Sequence, residues 1–392
     1  SEYNEGKALI NWKSMRARAS GIMQELGIDL DPDAILGRLS VADKQLVAIC
    51  RALVQQAKLL IMDEPTTALT KKEVSSLFRL VLKLREKGIA ILFVSHKLEE
   101  VFEIAETITI LRNGKLVTEG AMRDFDADKF VYYMTGRTLE KGCFAGTEEL
   151  GDELLCADRL SAKTLFEEVS FKLYSGEVLG ITGLLGSGRS ELAKALFGMV
   201  PLSGGEIRIA GQPVRLCTVR DAIRSGISYV PEDRLTEGLF LPHSISRNIA
   251  VGAFHKFFNR AGFLRQKKLD ETVRHWIDEL KIVTPSGELP AQALSGGNQQ
   301  KVVIAKWLEN DPKILILNSP TVGVDIGSKA DIHACARKLA RQGMGVIIIS
   351  DDISEIMQNC SRVLVMKKGR IVSEHKVSQL TEAELSQQLR ED

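Results

Sequence analysis

A glycine-rich segment near the middle of the chain has the residue types needed to hold phosphate. The matching positions are Gly183, Gly186, Ser187, Gly188, Arg189 and Ser190. Their spacing fits the phosphate-loop pattern GxxxxGK[ST], with arginine in place of lysine. The glycines let backbone N–H groups converge on phosphate oxygens at a helix N-terminus, and Ser190 is placed to reach Mg²⁺. Arg189 supplies a positive charge, although its planar guanidinium differs from an ammonium. Taken alone, the pattern also fits a tightly packed turn.

A pair of carboxylates in the first third of the chain is suited to metal-assisted hydrolysis. Asp63 and Glu64 end an apolar run, and His96 follows the next apolar run. An aspartate at such a strand end can order a Mg²⁺ shell, and the adjacent glutamate can orient or deprotonate an attacking water. On its own the acidic pair fits a solvated strand end equally well. The internal repeat described next favours the chemical interpretation.

The chain repeats itself at a fixed offset. The segment that begins at Leu39 aligns without a gap on the segment that begins at Leu294, an offset of 294 − 39 = 255. The same offset takes Ser95 onto Ser350, so the register holds over some eighty residues. Both copies show a helical pattern, an apolar run, a second helical pattern and a second apolar run. Such alternation predicts an α/β fold with parallel strands and helical crossovers.

The repeat also sets the expected domain organisation. We predict two tandem nucleotide-binding domains, residues 1–140 and 152–392, joined through a polar stretch. The counterpart of Gly188 in the first copy would fall at 188 − 255 = −67. The first copy is therefore expected to be incomplete, the chain to be truncated at its N-terminus, and these residues alone to show little ATP hydrolysis.

Composition places few other constraints on function. The 392 residues carry a net charge of +1, which gives no general field for binding nucleic acid. The six cysteines include no CxxC pair, as expected in a reducing compartment. The longest apolar runs are of strand length, and the start of the sequence has no signal-peptide pattern. We therefore expect a cytoplasmic protein.

Four motifs carry a resemblance to a known family. They are LSGGNQQK at 294–301, LLIMDEP at 59–65, SHK at 95–97 and a degenerate LSVADKQ from residue 39. Together they resemble the fused, double-domain ATPase subunits of bacterial ABC importers for simple sugars of the ribose, galactose and xylose type. The resemblance implies two P-loop NTPase cores with helical subdomains, ATP and Mg²⁺ as cofactors, and a position on the inner face of the cell membrane. It also implies a transmembrane permease pair as partner and, indirectly, a periplasmic or lipid-anchored sugar-binding protein; isolated subunits are expected to self-associate.

The resemblance further implies composite sites, in which the signature motif of one half meets phosphate held by the other half. The predicted hydrolytic site combines Asp63, Glu64 and His96 of the first half with residues of the second. The second-half residues are Ser295, Gly296, Gly297, Asn298, Gln299 and Asp325. In this interpretation Asp63 binds the metal shell, Glu64 is the base and His96 contacts the γ-phosphate.

The other composite site is expected to be silent in catalysis. Asn318 and Ser319 stand where the first half has the carboxylates, and Asp351 stands in place of His96. In its partner signature, residues 41 and 42 are valine and alanine instead of two glycines. Glu232 takes the place of a glutamine that senses the permease in this family, which implies a coupling role. We expect nucleotide binding here without turnover.

Two other function classes fit parts of the sequence. A tandem ABC protein acting on ribosomes or DNA should have a long charged helical linker and two intact signatures, and this chain shows neither. A non-hydrolytic scaffold is favoured by the degraded second site alone. The identity of the sugar is not encoded in these motifs, and the choice of Phe166 or Phe171 for stacking on adenine competes with simple core packing.

Overall fold

The computed structural model describes residues 11–136 and 151–390, apart from residues 67, 68, 70, 96 and 113. Of residues 41, 71 and 72 it describes the backbone. The chain divides into two compact units, one within residues 1–138 and the other within residues 139–392. These are called unit 1 and unit 2. Among the described residues, no helix combines the length and apolar character that crossing a bilayer requires.

Unit 1 contains five helices and two small sheets in its described part. The helices are α1 (Trp12–Leu26), α2 (Val41–Val54), α3 (Lys71–Glu86), α4 (Leu98–Ile104) and α5 (Ala127–Thr135). The strands are β1 (Leu59–Asp63), β2 (Ala90–Val94), β3 (Thr107–Arg112) and β4 (Lys115–Ala121). Strands β1 and β2 pair in parallel, whereas β3 and β4 form an antiparallel hairpin. The predicted order of helix, strand, helix and strand is confirmed.

One feature of unit 1 differs from the sequence prediction. The run at residues 59–62 was expected to be a buried strand, but its residues alternate between exposed and buried. Leu59 is 53% exposed and Ile61 63% exposed, while Leu60 and Met62 belong to the core. In unit 1, β1 pairs with β2 in a two-stranded sheet, and one face of this sheet is open to solvent. An apolar run therefore marks a fully buried strand only where both faces of its sheet are covered.

Unit 2 contains two larger sheets. The strands are β5 (Glu153–Ala162), β6 (Phe166–Tyr174), β7 (Val178–Thr182), β8 (Gly204–Ile209), β9 (Gln212–Val214), β10 (Ile227–Val230), β11 (Ile314–Asn318), β12 (Gly345–Ile349), β13 (Arg362–Lys367) and β14 (Arg370–Lys376). One sheet has the order β10-β11-β12-β7-β13-β14 and the other β6-β5-β8-β9. In the six-stranded sheet all pairs are parallel except β13 with β14.

The helices of unit 2 cover this sheet. They are α6 (Arg189–Leu196), α7 (Val219–Arg224), α8 (Ile245–Ala250), α9 (Gln266–Glu279), α10 (Gly296–Leu308), α11 (Ile326–Arg341), α12 (Ile353–Asn359) and α13 (Glu382–Arg390). Strands β7, β10, β11 and β12 are buried along their whole length, as their continuous apolar sequences require. Because these strands are parallel, their carboxyl ends share one edge of the sheet, the usual place for a ligand in such folds.

Candidate functional site

The turn between β7 and α6 has the backbone of a phosphate-binding loop. Gly186 and Gly188 have φ angles of 80° and 92°, which side-chain-bearing residues rarely adopt. A Cβ atom on Gly183 would lie 2.4 Å from the Ser187 Oγ. Helix α6 starts without a side-chain cap, so its first N–H groups are not used by a capping residue. The loop can therefore present backbone donors to an anion.

Buried polar atoms without partners surround this loop. They include the Thr182 Oγ1, the Ser187 Oγ and the Arg189 Nε, each without a hydrogen bond inside the protein. Buried polar groups are nearly always paired in folded proteins, because an unpaired one carries a desolvation cost. Phosphate oxygens are suitable acceptors for such donors. The donor set thus fits the group that the sequence predicts.

Arg189 is buried and points back over the loop. Its guanidinium donates to the Gly183 carbonyl, and its Nη2 lies 3.6 Å from Oδ1 of Asp351, which is 66% exposed. Asp351 was expected to repel a γ-phosphate, and in the structure it also neutralises part of the loop's only arginine charge. The sequence gave no sign of this pairing, because the two residues are 162 positions apart (351 − 189).

Three oxygen-bearing side chains meet next to the loop. The Ser190 Oγ lies 3.4 Å from Oε2 of Glu232 and 3.4 Å from Oδ1 of Asn318. Asn318 is fully buried, and its amide nitrogen donates to the hydroxyl of Tyr229 at 3.2 Å. Burial raises the pKa of Tyr229 to about 12, so this phenol is neutral at physiological pH. Hydroxyl, amide and carboxylate oxygens are ligands of the hard type that Mg²⁺ takes, and the residues fit this ion.

The acidic pair of unit 1 sits on the same backbone as its counterpart in unit 2. Glu64 and Ser319 both have a φ of 47°. The Glu64 N–H donates to Val94 at 2.9 Å and the Ser319 N–H to Ile349 at 2.7 Å, which are equivalent carbonyls under the 255 offset. Unit 2 has therefore kept the strand-end geometry and lost the carboxylates. The predicted switch residue His96 and its first-half neighbour Thr70 lie outside the described residues.

A buried glutamate supports the strand-end region in both units, and sequence reasoning missed it. In unit 1 the Glu100 carboxylate accepts from Thr66 at 2.6 Å and from Ser95 at 3.1 Å. In unit 2 the equivalent Glu355 accepts from Thr321 at 2.8 Å, and lies 2.7 Å from Nε2 of His333. The 255 offset could have revealed the pair, since 100 + 255 = 355. The residues next to the position of His96 are thus held by a buried carboxylate.

The predicted signature residues occupy the start of α10. The Ser295 Oγ accepts from the Asn298 amide at 3.0 Å, and the buried Gln299 donates to the Ala291 carbonyl at 3.3 Å. Helix α10 has no side-chain cap, which leaves its first N–H groups available to an anion. Gln299 contributes to local packing, whereas Ser295 lies at the helix end as predicted.

The equivalent helix end in unit 1 is chemically different. The Ser40 Oγ caps α2 by accepting from the Asp43 N–H at 3.1 Å, and donates to the Asp43 carboxylate at 2.8 Å. Asp43 is the counterpart of Asn298 under the 255 offset. A capped helix end that carries an acidic side chain is a poor place for a phosphate. This third defect adds to the two lost glycines and was missed from the sequence.

Asp325 lies beside the signature within unit 2. Its carboxylate accepts from the N–H of Ser328 at 2.9 Å and from the hydroxyl of Ser328 at 2.8 Å. A Cβ atom on Gly297 would come within 1.9 Å of that hydroxyl, and one on Gly296 within 2.8 Å of the Gly323 carbonyl. The glycines are therefore required by close packing as well as by any ligand. Phe166 and Phe171 are both buried in the core of unit 2, which favours packing over adenine stacking.

Lys306 on α10 is a buried cation that the sequence did not single out. Its ammonium donates to the Gly238 carbonyl and lies 4.9 Å from the ring centre of Trp307. Burial lowers the pKa of Lys306 to about 8. The folded protein therefore holds fewer protons than the unfolded chain between pH 8 and the ordinary lysine value of 10.5, and its stability rises with pH through that window.

We expect Lys306→Met to stabilise the protein by about 1–2 kcal/mol at pH 7, because it removes the cost of burying a charge. The advantage over the unmodified protein should shrink as the pH rises from 8 towards 10.5. Urea unfolding at several pH values measures both effects. Lys301→Met is the matched control, since Lys301 is equally buried on the same helix but pairs with Asp331 at 2.8 Å. Loss of stability in both variants would contradict the assignment.

Comparison with known proteins agrees with this geometry. The sequence profile described as "ABC transporter" matches residues 2–67 and 166–322. Ribose import ATP-binding protein RbsA of Geobacillus kaustophilus is 41% identical over 363 residues, which are 93% of this chain and 73% of that protein. The putative ribose/galactose/methyl galactoside import ATP-binding protein 1 of Rhizobium etli is 38% identical over 379 residues, or 97% of this chain and 71% of that protein.

Solved structures show the same fold. A nucleotide-free ATP-binding cassette from an ABC transporter superposes with a TM-score of 0.51 at 22% identity, and covers 60% of this chain and 95% of its own. The cbiO1 cassette of Clostridium perfringens, part of a cbiONQ complex, gives a TM-score of 0.51 at 23% identity, with 61% and 94% covered. At these identities the likeness concerns the fold alone.

Proposed function

This chain belongs to the ABC transporter family of ATPases, and we propose that it energises the import of a monosaccharide with one hydrolytic and one silent nucleotide site. Its two nucleotide-binding domains are residues 1–140 and 152–392. The relatives named above are import ATP-binding proteins for ribose or for ribose and galactosides, which supports a pentose or hexose as cargo. The partners are a transmembrane permease pair and, through it, a sugar-binding protein, with this subunit at the inner face of the membrane.

The observation that carries the proposal is the contrast between Glu64 and Ser319 on one shared backbone geometry. Both residues have a φ of 47° and donate to equivalent carbonyls, yet one can activate water and the other cannot. Asp63 and Asn318 differ in the same way as ligands of a metal shell. We assign hydrolysis to the site that contains Asp63, Glu64 and His96.

The signature of unit 2 belongs with that hydrolytic site. Ser295, Gly296 and Gly297 stand at an uncapped helix end, where backbone donors and a hydroxyl can meet a terminal phosphate. The corresponding end of α2 is closed by Ser40 and carries Asp43. The phosphate loop at 183–190 then holds nucleotide in the silent site, where Mg²⁺ would neutralise phosphate charge.

Paired substitutions test this division of labour. We expect Glu64→Gln to reduce ATP turnover by about a hundredfold or more, the loss typical of a missing general base. Ser319→Ala, at the equivalent position, should leave turnover within about twofold, because a buried hydroxyl without a hydrogen-bond partner takes no part in hydrolysis. Phosphate release by the complete transporter isolated with its permease is the measurement.

Uptake of labelled ribose and galactose by the host cells tests the cargo. Loss of both activities in Ser319→Ala, or turnover that survives in Glu64→Gln, would contradict the asymmetric assignment. Nucleotide binding with no turnover in the unmodified transporter would instead favour the non-hydrolytic scaffold that the degraded second site suggests.

A further inference from the structure

We propose that Glu232 is the carboxylate ligand of the Mg²⁺ ion that accompanies nucleotide in unit 2. The inference rests on the proposed function of the phosphate loop as a nucleotide site. Ser190 and Asn318 contribute a hydroxyl and an amide oxygen beside it. The metal is thereby held from the loop that follows β10, and the strand end that serves in unit 1 supplies no charge.

The first step in the argument is the loss of negative charge at the strand end. Asn318 and Ser319 replace the Asp63 and Glu64 of the first half, and both replacements are neutral. A magnesium ion on nucleotide is ordinarily bound through one or two carboxylates together with the phosphates. Unit 2 must therefore find a carboxylate elsewhere or bind nucleotide without the ion.

Other acidic groups near the loop are already used. The Asp351 carboxylate lies 3.6 Å from the Arg189 guanidinium, and Glu237 pairs with Lys194 at 3.1 Å. Among the hydrogen bonds of the described residues, Glu232 provides the one carboxylate that reaches the Ser190 hydroxyl. Its side chain is exposed and has no ion pair in the described part of the chain, so it can turn towards a cation.

The distances suit this arrangement. The Ser190 Oγ is 3.4 Å from both the Glu232 and the Asn318 oxygens. Neighbouring ligands of an octahedral ion with bonds of about 2.1 Å lie about 3 Å apart, so a small contraction is enough. Asn318 cannot move far, because it is fully buried and bonded to Tyr229. The adjustment therefore falls on the exposed Glu232.

The loop that carries Glu232 is connected to the signature region. Asp233 accepts from the Leu235 N–H at 2.9 Å and so caps a π-helical turn at Arg234–Gly238. Arg234 donates to the Val322 carbonyl at 2.7 Å and to the Gly323 carbonyl at 2.9 Å. A cation on Glu232 would fix the start of this connection. Metal binding in the silent site is then linked to the turn that precedes Asp325.

The test measures metal and nucleotide binding separately on the 392-residue chain. Mn²⁺ serves as the probe, and its binding in the presence of ADP is followed by electron paramagnetic resonance, while ADP binding in EDTA is followed with a fluorescent analogue. We expect Glu232→Gln to weaken Mn²⁺ binding about tenfold or more, because a charged ligand is lost. ADP binding in EDTA should stay unchanged, which a merely structural role for Glu232 would not allow.

Two further variants complete the design. Glu232→Gln combined with Asn318→Asp returns a carboxylate to the strand end and should restore Mn²⁺ binding, since the Tyr229 hydroxyl can donate to the new aspartate. Glu237→Gln removes a carboxylate four or more positions away in the same loop and should have no effect. Unaltered Mn²⁺ binding in Glu232→Gln would overturn the inference alone. Failure of the unmodified chain to bind ADP under any condition would overturn the proposed nucleotide site as well.

Discussion

Arg362→Met is expected to lower the free energy of unfolding of unit 2 by about 3–5 kcal/mol, the usual cost of leaving a buried charge without its partner. Glu177, just before β7, is fully buried, and both its oxygens bond to Arg362 at 2.8 and 3.1 Å. The same guanidinium also pairs with Glu374 at 2.6 Å and donates to the Lys172 carbonyl. Methionine keeps much of the volume and removes every one of these bonds.

Arg370→Met is the matched control for this experiment. Arg370 also contacts two carboxylates, those of Glu167 at 2.6 Å and Glu168 at 3.3 Å, but it is 55% exposed. Exposed ion pairs contribute about 0–1 kcal/mol, so little stability should be lost. Denaturant unfolding followed by tryptophan fluorescence reports mainly on unit 2, which contains Trp276 and Trp307. Similar losses in the two variants would refute the argument, and adding Glu177→Gln to Arg362→Met should recover part of the loss.

The chemistry-bearing positions could be predicted because residue type, spacing and an internal repeat agreed on them. The phosphate loop needs glycines where φ is positive, and the structure has such angles at Gly186 and Gly188. The strand ends at Asp63 and Asn318 were located by apolar runs that the sheets confirm. The α/β fold followed from the alternation of elements, and the solved cassettes share it.

The pairing of side chains across distant elements was not predictable. Nothing in the spacing indicates that Asp351 approaches Arg189, or that Asp43 bonds to the serine that caps its helix. Such contacts depend on rotamers and on backbone positions brought together by packing. The half-exposed strand β1 is a related case, since its residues resemble those of the buried β11 and only the surrounding sheet differs. Local sequence specifies the strand, and the neighbours decide its burial.

The defects of the silent site share a physical theme. Backbone geometry is preserved at Ser319, while charge is removed at Asn318 and redistributed to Asp351 and Glu232. A site with intact loops and altered charges can still bind nucleotide and stabilise the folded unit. The loss of function is thus confined to the hydrolytic step, which depends on a carboxylate base.

The phosphate loop itself provides the most demanding test of nucleotide binding in unit 2. Gly188→Ala is expected to weaken ADP binding about a hundredfold, which corresponds to about 2.7 kcal/mol. The φ of 92° disfavours any Cβ, and that Cβ would lie 2.7 Å from the Leu165 carbonyl and 3.3 Å from the Gly369 Cα. Both contacts are with backbone, which cannot rotate away as a side chain can. Relief requires the loop to shift off the position in which its N–H groups converge.

Gly186→Ala separates this clash from the cost of the left-handed backbone. Gly186 has a φ of 80° in the same loop, yet a Cβ there would meet no atom within 4 Å. Both variants carry the conformational penalty of about 1–2 kcal/mol, and Gly188→Ala alone carries the collision. Fluorescent ADP binding should therefore fall about tenfold in Gly186→Ala and clearly further in Gly188→Ala. If the two variants bind equally, the loop does not need its present backbone position to hold nucleotide, and the assignment of residues 183–190 as the phosphate site fails.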